Sequence, residues 1–433
     1  MSQYLLKNGT ILNLFPSEFK QNDVRISDGK IIETGKSLKQ KAGEEVVDCS
    51  GKFIMPGLVN SHTHLYSALA RGMSGTKKPP ANFVEILDKV WWKLDEALDE
   101  ESVYYSALVG AIEAVKYGTT TLIDHHAAPN FISGSLDVIQ KAMSDIGMRG
   151  ILCYETTDRG GMKKRDKGLQ ENERFLLKNQ NNPNFRGMIG AHASFTLSED
   201  SMKKLGELVK KHKSGIHIHV AEAKADVFDA EENYKVNIID RLENHGLLTN
   251  SSIIAHGVHL TAKEISKVSK YKTWLIHNPR SNMNNRVGYA PLNLFGERTA
   301  LGTDGFPADM FEEAKIGFFR NQESVHQTRF TRIAEMLQTG QMIVSEFFGE
   351  KFGVISKGSQ ADLVILDYKS PTPLSKENLI GHFIFGMNSS IVESVMINGK
   401  WVMWNRQFFG VDEEVVMREA QKVTQKFWKR MND

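Results

Sequence analysis

Hydrophobic residues follow two rhythms along this chain. Near both ends they alternate with polar residues in short runs. Tyr4–Leu12 reads as strand, turn and strand, and Val24–Ile32 alternates around an Asp28-Gly29 turn, the pattern of a hairpin. Ala361–Leu366 reads as a strand, and Ile391–Val402 as a hairpin with an Asn398-Gly399 turn. The shared texture predicts that the two chain ends pair into one β-sandwich. Between them, short apolar strands alternate with longer helical stretches, the signal of parallel β/α structure. Strands are expected near 54–61, 119–125, 148–154, 186–192, 215–221, 252–258, 272–277 and 299–304. Tyr104, Ala107, Leu108, Ala111 and Val115 fall at helical spacing just before Gly118 and the second of these strands. Eight strands close a (β/α)8 barrel. The expected organisation is residues 1–54 as the first part of the sandwich, 55–352 as the barrel, and 353–433 as the rest of the sandwich plus a terminal amphipathic helix near 411–431. The interval between strands one and two holds Lys77-Lys78-Pro79-Pro80 and Trp91-Trp92. It is too long for a plain connection, and part of it is expected to cover the barrel mouth.

Composition narrows the function. The 433 residues are 41% hydrophobic and 24% charged, ordinary globular usage with ample material for one large core. Lys plus Arg is 54 against 52 for Asp plus Glu, a formal charge of +2. A nucleic-acid binder would show a basic excess gathered on one face. Lys163-Lys164-Arg165 and Lys210-Lys211 are short and read as solvated surface. Two cysteines, Cys49 and Cys153, make no disulfide framework and read as reduced thiols. The N-terminus has neither the charge nor the apolar run of a signal peptide. No apolar run approaches the ~20 residues that span a bilayer. The expectation is a cytoplasmic protein that uses neither membrane nor nucleic acid and acts on a small molecule.

The chemistry lies where barrels of this kind carry it, at the C-terminal ends of strands. Strand one ends in His62-Thr63-His64. Side chains two apart on a strand share a face, so both imidazoles can point into the mouth and bind one metal ion. Strand five, Gly215–Ala221, supplies His219 as a third nitrogen, with Glu222 three residues on as a proton carrier. His217 shares that face one pleat deeper and reads as a hydrogen-bonded interior histidine. Strand six ends at His256 and strand eight at Asp304. A carboxylate there is often a helix cap, but opposite three histidines it is a natural fourth ligand. Such a set suits zinc, with iron or manganese also held.

These residues carry a resemblance. Pro56–His64, His219-Val220-Ala221-Glu222, Ala255-His256-Gly257, His277–Asn282, Gly302-Thr303-Asp304 and Lys357–Val364 resemble, in order and over nearly the whole chain, the motifs of the amidohydrolase superfamily. Within it the chain is similar to the cytosine/guanine deaminase and chlorohydrolase-like branch, and most of all to SsnA-type aminohydrolases. The resemblance implies that His62, His64, His219 and Asp304 hold one divalent metal. Two-metal relatives bridge their ions with a carboxylated lysine on strand four, where this chain has Gly187–His192 without lysine. It implies a hydrolytic deaminase of a purine-like heterocycle, with release of ammonia. Asp304 would take a proton from the attacking water, and His256 would orient it and stabilise developing negative charge. Glu222 would protonate the ring nitrogen and then help ammonia leave. His192 matches a position that contacts substrate in the deaminase branch. His125, of the His125-His126 pair ending strand two, is expected to bond a substrate carbonyl, with helix capping as the alternative. Arg159 is expected to bind an anionic or carbonyl group unless it lies on the surface, and Trp92, beside Trp91, to stack on a planar ring unless it packs among helices. Homo-oligomers are common for this fold, and a dimer is expected. The competing readings are a ring-opening cyclic amidohydrolase or a chlorohydrolase of the same fold and, from another class, a catalytically silent barrel that only binds.

Overall fold

The computed structural model describes residues 3–76, 78–325 and 327–432. Lys77, at the head of the Lys-Lys-Pro-Pro run, lies outside the described residues.

Eight barrel strands alternate with helices in the order that the apolar runs predict. The first is Leu58–Thr63, the second Thr119–His126 and the third Arg149–Tyr154. The fourth comes in two pieces, Phe185–Gly187 and Ile189–Ala193. The fifth to eighth are Ile216–Val220, Ile253–His256, Trp274–His277 and Thr299–Leu301. Strands one to three and the first piece of the fourth form one parallel sheet, and the second piece with strands five to eight forms another. A parallel bridge from Thr156 to Ala191 joins the two at the fourth strand. At the other seam Thr303 N and Asp304 N both donate to His62 O at 3.0 Å, and His64 N donates to Asp304 O at 3.1 Å. Neighbouring residues at the rim are thereby tied across the last and first strands.

The first strand starts later than the expected 54–61. Phe53–Pro56 pairs antiparallel with Leu363–Leu366 in a different sheet, and the barrel strand begins only at Leu58. Gly57 is the hinge. A Cβ there would lie 2.2 Å from the Thr120 side chain, so only glycine lets the chain pass from one sheet to the other.

The two ends of the chain do combine. A seven-stranded sheet runs Gln407–Phe408, Lys400–Trp404, Val392–Ile397, Leu363–Leu366, Phe53–Pro56, Thr10–Asn13 and Glu18–Gln21, mixing both termini. A four-stranded sheet, Lys30–Gly35, Asp23–Ser27, Gln3–Lys7 and Glu45–Asp48, belongs to the N-terminal part. Leu6, Ile11, Val24, Ile26, Ile31, Ile54, Leu363, Ile365 and Met396 share one apolar cluster drawn from both sheets. The predicted hairpin turns are present, with Asp28-Gly29 and Asn398-Gly399 in the left-handed region that such turns require. The terminal helix, Glu413–Asn432, buries Ala420, Val423 and Phe427. Both cysteines are buried and free. Among the described residues no helix is long and apolar enough to cross a membrane.

Candidate active site

Parallel strands in register bring distant residues to one level. His219 pairs with Ala255, Val220 with His256, and His277 with Leu301. At the fourth strand the register slips between Ala191 and Ala193, so His192 sits at a bulge, a device that re-aims a side chain. His256 and Asp304 adopt positive φ, 74° and 54°, as does Ala221 beside Glu222 at 51°. Non-glycine residues in that region cost about 1–3 kcal/mol each and persist where the surroundings over-determine them.

The candidate ligand atoms of His62, His219, His256 and Asp304 all lie within 4.8 Å of one another, and so do those of His64, His125 and His219. His64 Nε2 is 3.2 Å from His219 Nε2 and 2.8 Å from Asp304 Oδ1, and His62 Nε2 is 3.4 Å from the same oxygen. The rings are held from behind. His64 Nδ1 donates to His125 O, His219 Nδ1 to His192 O at 2.8 Å, and His256 Nδ1 to Asn282 Oδ1 at 2.8 Å. Ser281 Oγ donates to Asp304 Oδ2. Such outer bonds fix ring orientation around a metal. Among the described residues, His62 Nε2 and His256 Nε2 are buried without a hydrogen-bond partner. Unpaired buried nitrogens converging on a carboxylate carry a large desolvation cost that a cation would relieve, so the residues present fit a divalent metal.

Burial drives His62 down to about 3 and His219 well below the usual histidine range, which keeps both neutral, the form a metal-binding imidazole needs. At His64 burial opposes the charge, but Asp304 overrides it and raises the imidazole to about 9. Burial also opposes charge on Asp304, yet the facing imidazoles of His62 and His64 hold its carboxyl well below the usual range. Burial pushes Glu222 upward. Its Oε1 accepts from Asn285 Nδ2 at 3.1 Å, and its Oε2 faces His256 Nε2 at 3.6 Å.

A cavity opens over this cluster, lined by His64, His219, Glu222 and Asp304 on its inner side. Tyr66, Phe83, Leu87, Trp91, Trp92 and Asp95, all from the long connection after strand one, form much of its wall. His192 and Trp92 both line it, with ring centroids 6.4 Å apart. The structure places two expected contacts elsewhere. His125 faces inward but is fully buried and is not among the cavity-lining residues. Its Nε2 donates to Ala191 O and His217 O at 3.1 Å, and its Nδ1 lies 3.4 Å from Glu155. Arg159 is also absent from the lining. Its guanidinium stacks 4.7 Å over Trp92 and pairs with Asp95 at 3.1 Å and Glu155 at 3.5 Å. Sequence reasoning passed over Glu155 and Asp95, two buried carboxylates in the wall. Glu155 had a usable signal, since it follows strand three directly, as His64 follows strand one. Asp95 had none, sitting in an amphipathic helix of the connection.

The model of the amidohydrolase family matches residues 53–402. The chain is 30% identical over 408 residues to the 5-methylthioadenosine/S-adenosylhomocysteine deaminase of Thermococcus sibiricus, covering 92% of this chain and 93% of that one. It is 29% identical over 443 aligned residues to the 5'-deoxyadenosine deaminase of Methanosarcina mazei, over the full length of both. Among solved structures, an adenosine deaminase from Xanthomonas campestris with bound zinc aligns with a TM-score of 0.86 at 21% identity, covering 98% of each chain. At that identity the likeness speaks for the fold.

Proposed function

The chain belongs to the amidohydrolase family, whose members depend on metal, and on that basis we propose that it is a one-metal aminohydrolase that deaminates an amino-substituted, purine-like heterocycle. The observation that carries this reading is the cluster of His62, His219, His256 and Asp304, with His64 at 3.2 Å from His219 and 2.8 Å from Asp304, beside a cavity lined by the buried Glu222. The relatives with deaminase names supply the substrate class. His62, His64, His219 and Asp304 would hold the ion. Three nitrogens and one carboxylate favour zinc, with iron or manganese as alternatives. When bound, the ion supplies the Lewis acidity that makes water a nucleophile near neutral pH.

The remaining steps belong to side chains. Asp304, with Oδ2 engaged by Ser281, keeps Oδ1 to receive a proton from the attacking water. His256, with Nδ1 tied to Asn282, presents Nε2 to orient that water. Glu222 is raised by burial and so retains a proton at neutral pH more readily than an exposed glutamate. It passes that proton to the ring nitrogen beside the carbon under attack and then assists ammonia's departure. His192 and Trp92 contact the substrate ring from the wall. His125 and Arg159 act one layer behind, ordering Glu155 and Asp95.

The test is ammonia release by zinc-loaded protein against 5'-deoxyadenosine, 5-methylthioadenosine, adenosine, guanine, pterins and triazines. Ammonia from a purine or nucleoside supports the reading. A carboxylate product without ammonia, or chloride release from a triazine alone, would replace it.

A further inference from the structure

The other rings at the cluster are held at Nδ1 by oxygens. The partners of His64 and His219 are backbone carbonyls and that of His256 is an amide oxygen, groups that only accept, so each ring carries its proton on Nδ1. His62 differs. Its Nδ1 lies 2.9 Å from Nε2 of another histidine, His217. A neutral imidazole can accept or donate there, so this contact alone does not decide which His62 nitrogen is bare.

The chain continues past His217. Its Nδ1 lies 3.7 Å from Cys153 Sγ, and that sulfur lies 3.6 Å from Asp124 O. Asp124 O can only accept, and this end gives the chain a direction. The Cys153 thiol donates to Asp124 O, and its sulfur accepts from His217 Nδ1–H. His217 Nε2 then accepts from His62 Nδ1–H, leaving His62 Nε2 as a bare lone pair facing His219, His256 and Asp304. Reversal would put the proton on His62 Nε2, pointing it at Asp304 Oδ1 3.4 Å away and removing a ligand. His217 is fully buried and, among the described residues, bonds to no carboxylate, which favours the neutral ring that the chain needs. The fold makes room for the chain. A Cβ on Gly190 would lie 2.9 Å from Cys153 Sγ. The His217 carbonyl is itself pinned by His125 Nε2.

We propose that His217 and Cys153 are positioning residues, a buried one-way hydrogen-bond chain that fixes His62 in the tautomer able to bind the metal. This rests on the metal-site reading above. Among the three proposed histidine ligands, His62 is then the one whose ligand quality depends on side chains, since His64 and His219 are held by backbone carbonyls.

The experiment uses the full chain and compares His217→Gln, His217→Asn, Cys153→Ala and wild type. Zinc affinity is read by chelator competition, the cobalt(II)-substituted site by its visible absorption, and folding by thermal denaturation. Gln places an accepting oxygen where Nε2 was, whereas Asn reaches only the Nδ1 position. His217→Asn should weaken zinc binding about 10–100-fold and shift the cobalt bands, while His217→Gln stays close to wild type and Cys153→Ala falls between. Folded His217→Asn with wild-type affinity and bands would overturn the proposal, as would His217→Gln that is no better than His217→Asn. A wild-type chain that takes up neither metal would instead overturn the metal site, and the chain's role with it.

Discussion

Glu222 combines two properties that a proton carrier needs, burial that raises its pKa and an oxygen free to meet a substrate atom. Glu222→Gln preserves shape and the Asn285 contact but removes the titrating proton. It should keep its metal and lose about 10²–10⁴-fold in kcat, measured by ammonia release alongside metal analysis of the same sample. Wild-type turnover in the variant would assign the proton to another group. Asp304 does different work, because its Oδ1 faces both His62 and His64. Asp304→Asn removes the negative charge that the cation would meet, so metal content should become substoichiometric and activity fall with it. Full metal and full activity in Asp304→Asn would remove it from the ligand set.

At the scale of elements the instructive one is the short helix Pro279–Asn284, which starts with proline at its first turn, where no amide hydrogen is missed. From this turn and the residue after it Ser281 reaches Asp304, Asn282 reaches His256, and Asn285 reaches Glu222. Arg280 bolts the turn to Glu313, Glu312 and Pro307 O. Asn285→Ala should therefore lower kcat by up to about tenfold, the worth of one hydrogen bond, while metal content stays whole. Loss of metal in that variant would mean that the helix holds the ligands rather than the proton carrier. The sequence shows His277–Asn282 as a motif but not what it holds, because these partners lie up to 63 residues apart and meet only after the barrel forms. Strand ends were readable since apolar runs and their terminal His or Asp are local patterns. The break at Gly57 was not, since it depends on Thr120 packing against the chain, and neither was the split fourth strand, whose two pieces pair with different neighbours. His125 shows the same limit. Its strand position faces it inward, but depth within the barrel is set by register, and register puts it under the cavity.

For the whole molecule, the end of the barrel opposite the site is where stability can be separated from chemistry. Arg149 opens the third strand, at the far end from the His and Asp cluster. Its Nε and Nη2 donate to Asp362 at 3.1 and 3.2 Å, and its guanidinium lies over Phe348 and Phe352. Asp362 in turn accepts from Asn398 N at the turn of the C-terminal hairpin, and its carbonyl accepts from Gly57 N. One buried ion pair thus links the barrel to the sheet built from both chain ends. Removing one member leaves the other charge buried and unpaired, at a cost of about 3–5 kcal/mol. Arg149→Ala should lower the urea midpoint accordingly while KM and metal stoichiometry stay unchanged. Chelation should act in the converse way: a site that binds its ion a thousandfold above the dissociation constant gains about 4 kcal/mol, so metal-free protein should melt lower and recover on adding zinc. The two perturbations are far apart, and for independent sites their effects on stability should add within about 0.5 kcal/mol. If Arg149→Ala instead sheds its metal while still folded, the sheet joint and the ligand cluster are coupled through the third strand, and the barrel does not insulate its active end from its supporting one.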